Sequence, residues 1–360
     1  MKATSLNAAV AALSFAMGLS MVNSANATIA GSTVVPLIVA GAPPDSPANR
    51  VDPNTPTSPF SGVVSLNIRY DGQSFICSGT LVSKRDVVTA GHCVDTDGNG
   101  KLIDLTKPGS DVRAVFNAST VVGSPGRAIV TASAVSMHPN YKGFGNCPVG
   151  VAGFCVNDDV AVVHLNQDAP DDAKIYRMLT NDMTGMPITM VGYGRSGDGI
   201  AGYTTGPDFR IKRVGQNYMD LFDLDDEQNF TAGAREVWYA DFDGGGQDTF
   251  CDLFSVCSPI LANDKEGNIG GGDSGGPSFV FDGKEYFLVG NNTFGGTFAG
   301  QTPGAFGTYF GGMMLNAYTD YLEGATGGAI QTVVPEPETY ALMLLGLGVV
   351  GAMARRRKAK

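Results

Sequence analysis

The sequence predicts an all-β fold. Three observations carry that expectation. Short runs rich in β-branched and aromatic residues recur along the body, Gly, Asp and Asn punctuate them, and few stretches hold a helical period. Val63 to Tyr70 alternates in part, and Asp71-Gly72 follows as a hairpin signal, because the favoured two-residue turns need positive φ at their centre. Phe75 to Val82 supplies the returning strand. Asp86 to Ala90 supplies the next and leads directly to His92. Further strands are expected over Asp111 to Phe116, Ala128 to Met137, Val160 to Leu165, Pro187 to Tyr193, Glu236 to Asp241, Ser278 to Phe281 and Tyr286 to Asn291. Asn316 to Glu323 is the best helix before the C-terminal tail. No internal repeat is visible. The pattern fits a sandwich or a barrel without choosing between them.

Both ends read as processing signals. Lys2, the apolar run Ala8 to Val22 and the small-residue exit Ala25-Asn26-Ala27 form a secretory signal peptide over residues 1–27, with a buried first helix as the alternative. The other end runs Val334-Pro335-Glu336-Pro337-Glu338, then an apolar stretch Tyr340 to Ala354, then Arg355-Arg356-Arg357-Lys358. That stretch is short for a membrane span, which needs roughly 20 residues, and its basic end favours the cytoplasmic side. It closely resembles the PEP-CTERM sorting tail of Gram-negative bacteria. The resemblance implies an exosortase-type sorting enzyme as partner, transient membrane contact through the tail, and delivery to the cell surface, the extracellular matrix or the medium. A plain C-terminal membrane anchor is the alternative.

The chain has 360 residues with 24 Lys and Arg against 35 Asp and Glu, a formal net charge of −11. Its visible basic cluster lies in the tail, so no basic patch for nucleic acid is expected. Six cysteines fall into close pairs along the chain: Cys77 with Cys93, Cys147 with Cys155, and Cys251 with Cys257. An even count in an exported chain argues for disulfides, and nearest-neighbour pairing is the expectation although sequence alone does not fix connectivity. No Cys-x-x-Cys spacing is present, which argues against zinc.

The chemistry concentrates in Gly271-Gly272-Asp273-Ser274-Gly275-Gly276-Pro277. Glycines on both sides of a serine leave backbone N–H groups free to turn toward a ligand, which suits a nucleophile with an oxyanion hole beside it. A serine hydroxyl also needs a base, and the base needs a group that fixes its tautomer. Of three histidines, His92 follows Thr89-Ala90-Gly91. His138 sits in a turn, Met137-His138-Pro139-Asn140-Tyr141, and His164 reads as a strand residue with a structural bond. Between the base and the serine lies Asn157-Asp158-Asp159-Val160-Ala161-Val162. Asp159 is preferred over Asp158 because it directly precedes the strand run, and a one-residue slip would turn a carboxylate to the opposite face. Asp158 is expected to be a solvated neighbour.

The order His92, Asp159, Ser274 resembles that of the chymotrypsin-like serine proteases. The likeness extends to Cys77-Ser78-Gly79-Thr80-Leu81-Val82, to Val87 through Cys93, to His138-Pro139-Asn140-Tyr141, to Asp159 through Leu165, to Val191-Gly192-Tyr193-Gly194, to Leu288 through Gly295 and to Tyr318 through Leu322. It covers about Val51 to Gly324. It implies two six-stranded antiparallel barrels with the site between them and a short closing helix. Residues 28–50 are then a propeptide or linker, 51–324 the protease domain, 325–333 a linker and 334–358 the sorting signal.

The resemblance implies that Ser274 attacks the scissile carbonyl, that His92 relays the proton, that Asp159 orients His92, and that the N–H groups of Gly272 and Ser274 bind the oxyanion. It places Asn268 at the base of the primary pocket and Thr293, Phe294 and Gly295 at its rim, with Gly304 or Gly307 opposite. An uncharged Asn268 predicts a neutral residue before the cut, unless Asp264 or Glu266 reaches the pocket. The chain departs from the family pattern where Gly270 replaces the usual pocket cysteine, and Gly202 to Gly246 reads as an insertion, more simply a β excursion than a substrate-shaping loop. A new N-terminus would pair with Asp273, either Val51 after Arg50, which is preferred, or Ile38 after Leu37; a chain that needs no cut is also allowed. Asp95-Thr96-Asp97-Gly98-Asn99-Gly100 has the oxygen spacing of a calcium loop, yet its twelfth position is Thr106 and only Asp104 could compensate, so calcium and a plain turn stand equal. No other cofactor is expected. The expected function is a serine endopeptidase acting on protein or peptide substrates. A catalytically silent binding or matrix protein on the same fold, or a non-peptidase esterase, is the alternative.

Overall fold

The computed structural model of the chain describes residues 38–117, 127–298 and 300–334. The expected signal peptide and the apolar part of the tail lie outside the described residues. The first six strands are β1 (Val63–Tyr70), β2 (Gln73–Leu81), β3 (Asp86–Thr89), β4 (Asp111–Phe116), β5 (Ala128–Met137) and β6 (Ala161–Leu165). They close into a barrel of order β1-β2-β3-β6-β5-β4. Tyr70 pairs with Gln73 across the first hairpin, where Asp71 and Gly72 take φ of 50° and 75°. Both values lie in the left-handed region that the Asp-Gly pair tolerates. Inward-facing Leu66, Ile68, Val87, Val112, Ala114 and Val163 fill the barrel. Each such side chain contributes about 1.5–3 kcal/mol on burial.

The rest of the chain builds a second sheet. Its elements are β7 (Met178–Leu179), β8 (Pro187–Gly192), β9 (Ser196–Asp198), β10 (Gly202–Thr205), β11 (Arg213–Tyr218), β12 (Leu221–Leu224), β13 (Arg235–Asp241), α1 (Thr249–Phe254), β14 (Pro277–Phe281), β15 (Tyr286–Gly296), β16 (Tyr309–Met314), α2 (Thr319–Ala325) and β17 (Thr332–Val333). β9 and β10 form a separate hairpin. The main path runs β11-β8-β14-β15-β16-β13-β12, with β7 and β17 joined to it through parallel pairing with β15 and with each other. The fold is therefore mostly β, as expected, with one closed six-stranded barrel. The second unit is a nine-stranded sheet whose ladder does not close. β11 and β13 nonetheless approach each other, since Asn217 Nδ2 in β11 donates to the carbonyl of Asp241 at the end of β13 at 2.7 Å.

The stretch Gly202 to Gly246 is a β excursion: it supplies β10 to β13, and β11 and β13 are integral to the sheet. Residues 38–50 pack into the body rather than linking to it. Val39 N–H donates to Asn268 O at 3.2 Å and Ala40 N–H to Gly197 O at 3.0 Å. Ile38 is fully buried in the cluster that contains Met190, Trp238 and Phe310. The three disulfides are Cys77–Cys93, Cys147–Cys155 and Cys251–Cys257, the nearest-neighbour pairing. Among the described residues no helix is long and apolar enough to cross a membrane.

Candidate active site

The site lies where the first barrel meets the loop before β14. β3 delivers the chain to a single 3-10 turn, Gly91–Cys93, which carries His92. Gly91 lets the turn pass close to the carboxylate, since a Cβ there would stand 3.0 Å from Asp159 Oδ1. Asp159 is fully buried and grips His92 twice. Its Oδ1 accepts the His92 backbone N–H at 2.7 Å, and its Oδ2 lies 2.7 Å from His92 Nδ1. The imidazole therefore holds its Nδ1 proton toward the carboxylate and leaves Nε2 as the free base. Burial disfavours the charged ring, but the charge and hydrogen bond of Asp159, with a smaller contribution from Asp95, outweigh it and raise His92 above the ordinary histidine value.

Asp158 does not behave as a solvated neighbour. It is buried, its φ is 62°, and its Oδ1 lies 2.8 Å from Nδ1 of His138. The left-handed backbone at Asp158 turns consecutive carboxylates to different histidines. His164 is the structural histidine expected, with Nδ1 2.8 Å from Asp86 Oδ1 and Nε2 3.1 Å from Ser136 Oγ.

The Ser274 backbone lies against the turn that carries His92. Its carbonyl accepts the Ser78 N–H at 2.8 Å and lies 3.7 Å from the Sγ of Cys93. Gly275, at φ 76°, packs against Thr89 and Ala90 so closely that a Cβ would stand 2.0 Å from Thr89 Oγ1. The serine segment thus lies along the 89–93 segment that bears His92. Ser78 Oγ donates to Gly272 O at 2.9 Å and accepts the Tyr193 N–H at 3.0 Å. Gly272 takes φ 106°, open to glycine and strained for other residues. Among the described residues, neither the Gly272 N–H nor the Ser274 N–H donates to a protein acceptor. Asp273 is fully buried and turned away from the cleft, accepting the N–H groups of Gly194 at 2.7 Å and Gly270 at 2.8 Å.

The cation that faces Asp273 is Arg213, a residue the sequence did not single out. Arg213 in β11 pairs directly with Gly192 in β8. A Cβ on Gly192 would stand 2.2 Å from Asp273 Oδ1. Directly paired residues share a face of a sheet, so the Arg213 side chain emerges toward Asp273. Its Nε donates to Pro47 O at 2.7 Å, while Nη1 and Nη2 are buried without a hydrogen-bond partner. Burial pushes Asp273 up to about 7, against the pull of the two N–H groups and of Arg213. Burial likewise pulls Arg213 down to about 9, and Asp273 resists that fall.

Val51 lies elsewhere. It is 43 % exposed and bridges to the Arg213 backbone, while Arg50 is buried in an ion pair with Asp45 at 2.6 Å. In the uncut chain Val51 therefore lies away from Asp273. Ile38 occupies the interior instead, its carbonyl taken by Ser196 Oγ.

The pocket residues divide. Asn268 is buried, its Nδ2 donates to Thr308 Oγ1 at 2.9 Å, and its Oδ1 has no partner. Thr293 Oγ1 is also buried and unpartnered, and Gly295 is exposed. Phe294 turns inward, meeting Tyr239 edge-on with centroids 5.3 Å apart. A bulge between Asn292 and Phe294 in β15 reorients this stretch. Gly304 lies against the Tyr203 ring and Gly307 against Gln247 and Gln301. Asp264 is exposed beside Lys265, and Glu266 is buried with its carboxylate held by the N–H groups of Leu261 and Asp243. In the 95–100 loop, Asp95 accepts the N–H groups of Asn99 and Gly100, Asn99 Nδ2 donates to Asp97, and Asp104 is taken by Thr106.

Residues 51–207 match the trypsin family model. Residues 333–358 match the PEP-CTERM protein-sorting motif. A solved collagenase structure is similar at 18% sequence identity and a TM-score of 0.45, over 74% of this chain and 94% of that chain. The comparison with curated proteins finds no match.

Proposed function

We propose that this chain is a surface-delivered serine endopeptidase working through an acyl-enzyme. The Asp159–His92 pair beside an N–H-lined serine loop carries the reading. Ser274 Oγ bonds to the scissile carbonyl carbon while His92 Nε2 takes its proton. The carbonyl oxygen becomes an oxyanion facing the Gly272 and Ser274 N–H groups, each worth roughly 3–4 kcal/mol of barrier. Collapse breaks the C–N bond, and His92 returns the proton to the leaving amine. Water then repeats the sequence on the ester, giving the acid product and free Ser274.

Arg213 faces the buried Asp273 and supplies, without a hydrogen bond, the positive charge that an inserted α-amino group would otherwise bring to the 270–274 segment. The mature N-terminus lies at or before Ile38, since Ile38 to Arg50 complete the second unit. Sequencing of the secreted active form tests this, and a start at Val51 would refute it. The neutral base at Asn268 favours an uncharged residue before the cut. Delivery by an exosortase-type system fits the sorting motif. A fluorophosphonate probe tests the whole reading: it labels the native chain and not Ser274→Ala. Absence of label on folded native protein would leave only a binding role.

A further inference from the structure

Where β13 ends, the chain runs through Asp243-Gly244-Gly245-Gly246-Gln247-Asp248 into α1. Single carboxylate oxygens of Asp241, Asp243 and Asp248 all lie within 4.8 Å of one another. Part of this set serves the fold: Asp241 Oδ2 accepts the Phe250 N–H at 2.7 Å, and Asp248 Oδ1 accepts the Cys251 N–H at 2.9 Å as the N-cap of α1. Asp243 Oδ1 is buried and has no partner.

A further buried carboxylate, from a separate segment, borders this set without joining its 4.8 Å cluster. Glu266 is 2 % exposed, its head is drawn to the Asp243 N–H, and its Oε1 is unpartnered. Among the described residues, none of these four carboxylates has an ion pair with Lys, Arg or His. Unpaired carboxylate oxygens in the interior are costly. An oxygen-seeking divalent cation relieves that cost, and a Gly-rich segment gives the flexible ring of oxygens that calcium accepts.

We infer that Asp241, Asp243 and Asp248 form a binding site for a divalent cation of the calcium type, with Glu266 at its border. It differs from the loop at Asp95. Its structural consequence follows from the chain: Glu266 is two residues before Asn268, and Asn217 Nδ2 donates to both Asp241 O at 2.7 Å and Gly267 O at 3.1 Å. A cation here ties the end of β13 to the segment carrying the pocket base.

The test uses the secreted protein stripped with a chelator and titrated with calcium chloride, read by calorimetry and by thermal melting. Saturating calcium should raise the melting temperature, and bound metal should analyse at one ion per chain at this site. Asp243→Asn and Glu266→Gln should each weaken binding by about tenfold or more, while Asp97→Asn leaves this site intact. Far-UV circular dichroism establishes that each variant is folded. Absence of any calcium-dependent heat or melting shift in the native chain would overturn the inference. So would calcium binding that survives both Asp243→Asn and Glu266→Gln, or that disappears only in Asp97→Asn. These readouts need no peptidase activity, so they fail or succeed apart from the proposed function.

Discussion

Replacing Asp159 by Asn isolates the role of the buried carboxylate. The substitution keeps size and keeps an Oδ1 acceptor for the His92 backbone N–H, which now lies at 2.7 Å. The second contact changes sign. An amide at the position of Oδ2, 2.7 Å from Nδ1, donates a proton where the carboxylate accepted one. Nδ1 must then be an acceptor, the ring proton moves to Nε2, and the serine loses its base. The expected loss in kcat is about 10⁴-fold, or about 5 kcal/mol of barrier. The pH profile gives a second reading. His92 must be neutral to accept the serine proton, and its raised value places the acid limb of kcat/KM in the native chain above the ordinary 6.5. Without the carboxylate charge, the residual activity should have its acid limb at lower pH. Steady-state hydrolysis of a peptide ester, with circular dichroism to verify folding, measures both. A folded variant losing less than about tenfold in kcat, with an unmoved acid limb, would refute the assignment of Asp159.

Arg213→Met should preserve the hydrophobic packing of the stem but strand the buried Asp273 carboxylate, lowering kcat by about 10²-fold; Arg213→Lys should recover part of the loss, and full activity in the Met variant would remove Arg213 from the oxyanion segment. Paired Cys77→Ser and Cys93→Ser open a loop with a sequence separation of 16. Denaturant unfolding should show a loss of about 3 kcal/mol, with no change arguing that the bridge is not formed. A peptide-library profile should show a neutral residue before the cut, and dominance by Arg or Lys would contradict the reading of Asn268.

The first barrel was legible in the sequence because its signals are local, and so was the approach of Asp159 to His92. Asp111–Phe116 and Ala128–Met137 form the expected strands to the residue, since β-branched runs there end at clear turn residues. The second sheet was harder. β11 reads Arg-Val-Gly-Gln-Asn-Tyr and β16 carries Gly311-Gly312, compositions that local propensity disfavours; ladder pairing with β8 and β15 overrides it. Asp159 was recognisable from its place before a strand, yet the burial of Asp158 was not, because a lone positive φ leaves no trace in an Asn-Asp-Asp run. Arg213 was invisible for a different reason. Its significance lies in a cross-strand neighbour, Gly192, and in Asp273 beyond it, and sequence spacing does not report such contacts.

Ser78 joins the two halves of the molecule. It is a residue of the closed barrel, yet its hydroxyl and amide clasp the loop that bears the nucleophile and the strand end that opens the other half. The two halves of the molecule are thus fastened at the point of chemistry itself. Gentle heating that parts them should silence turnover while both halves keep their ladders, so inactivation would run ahead of melting.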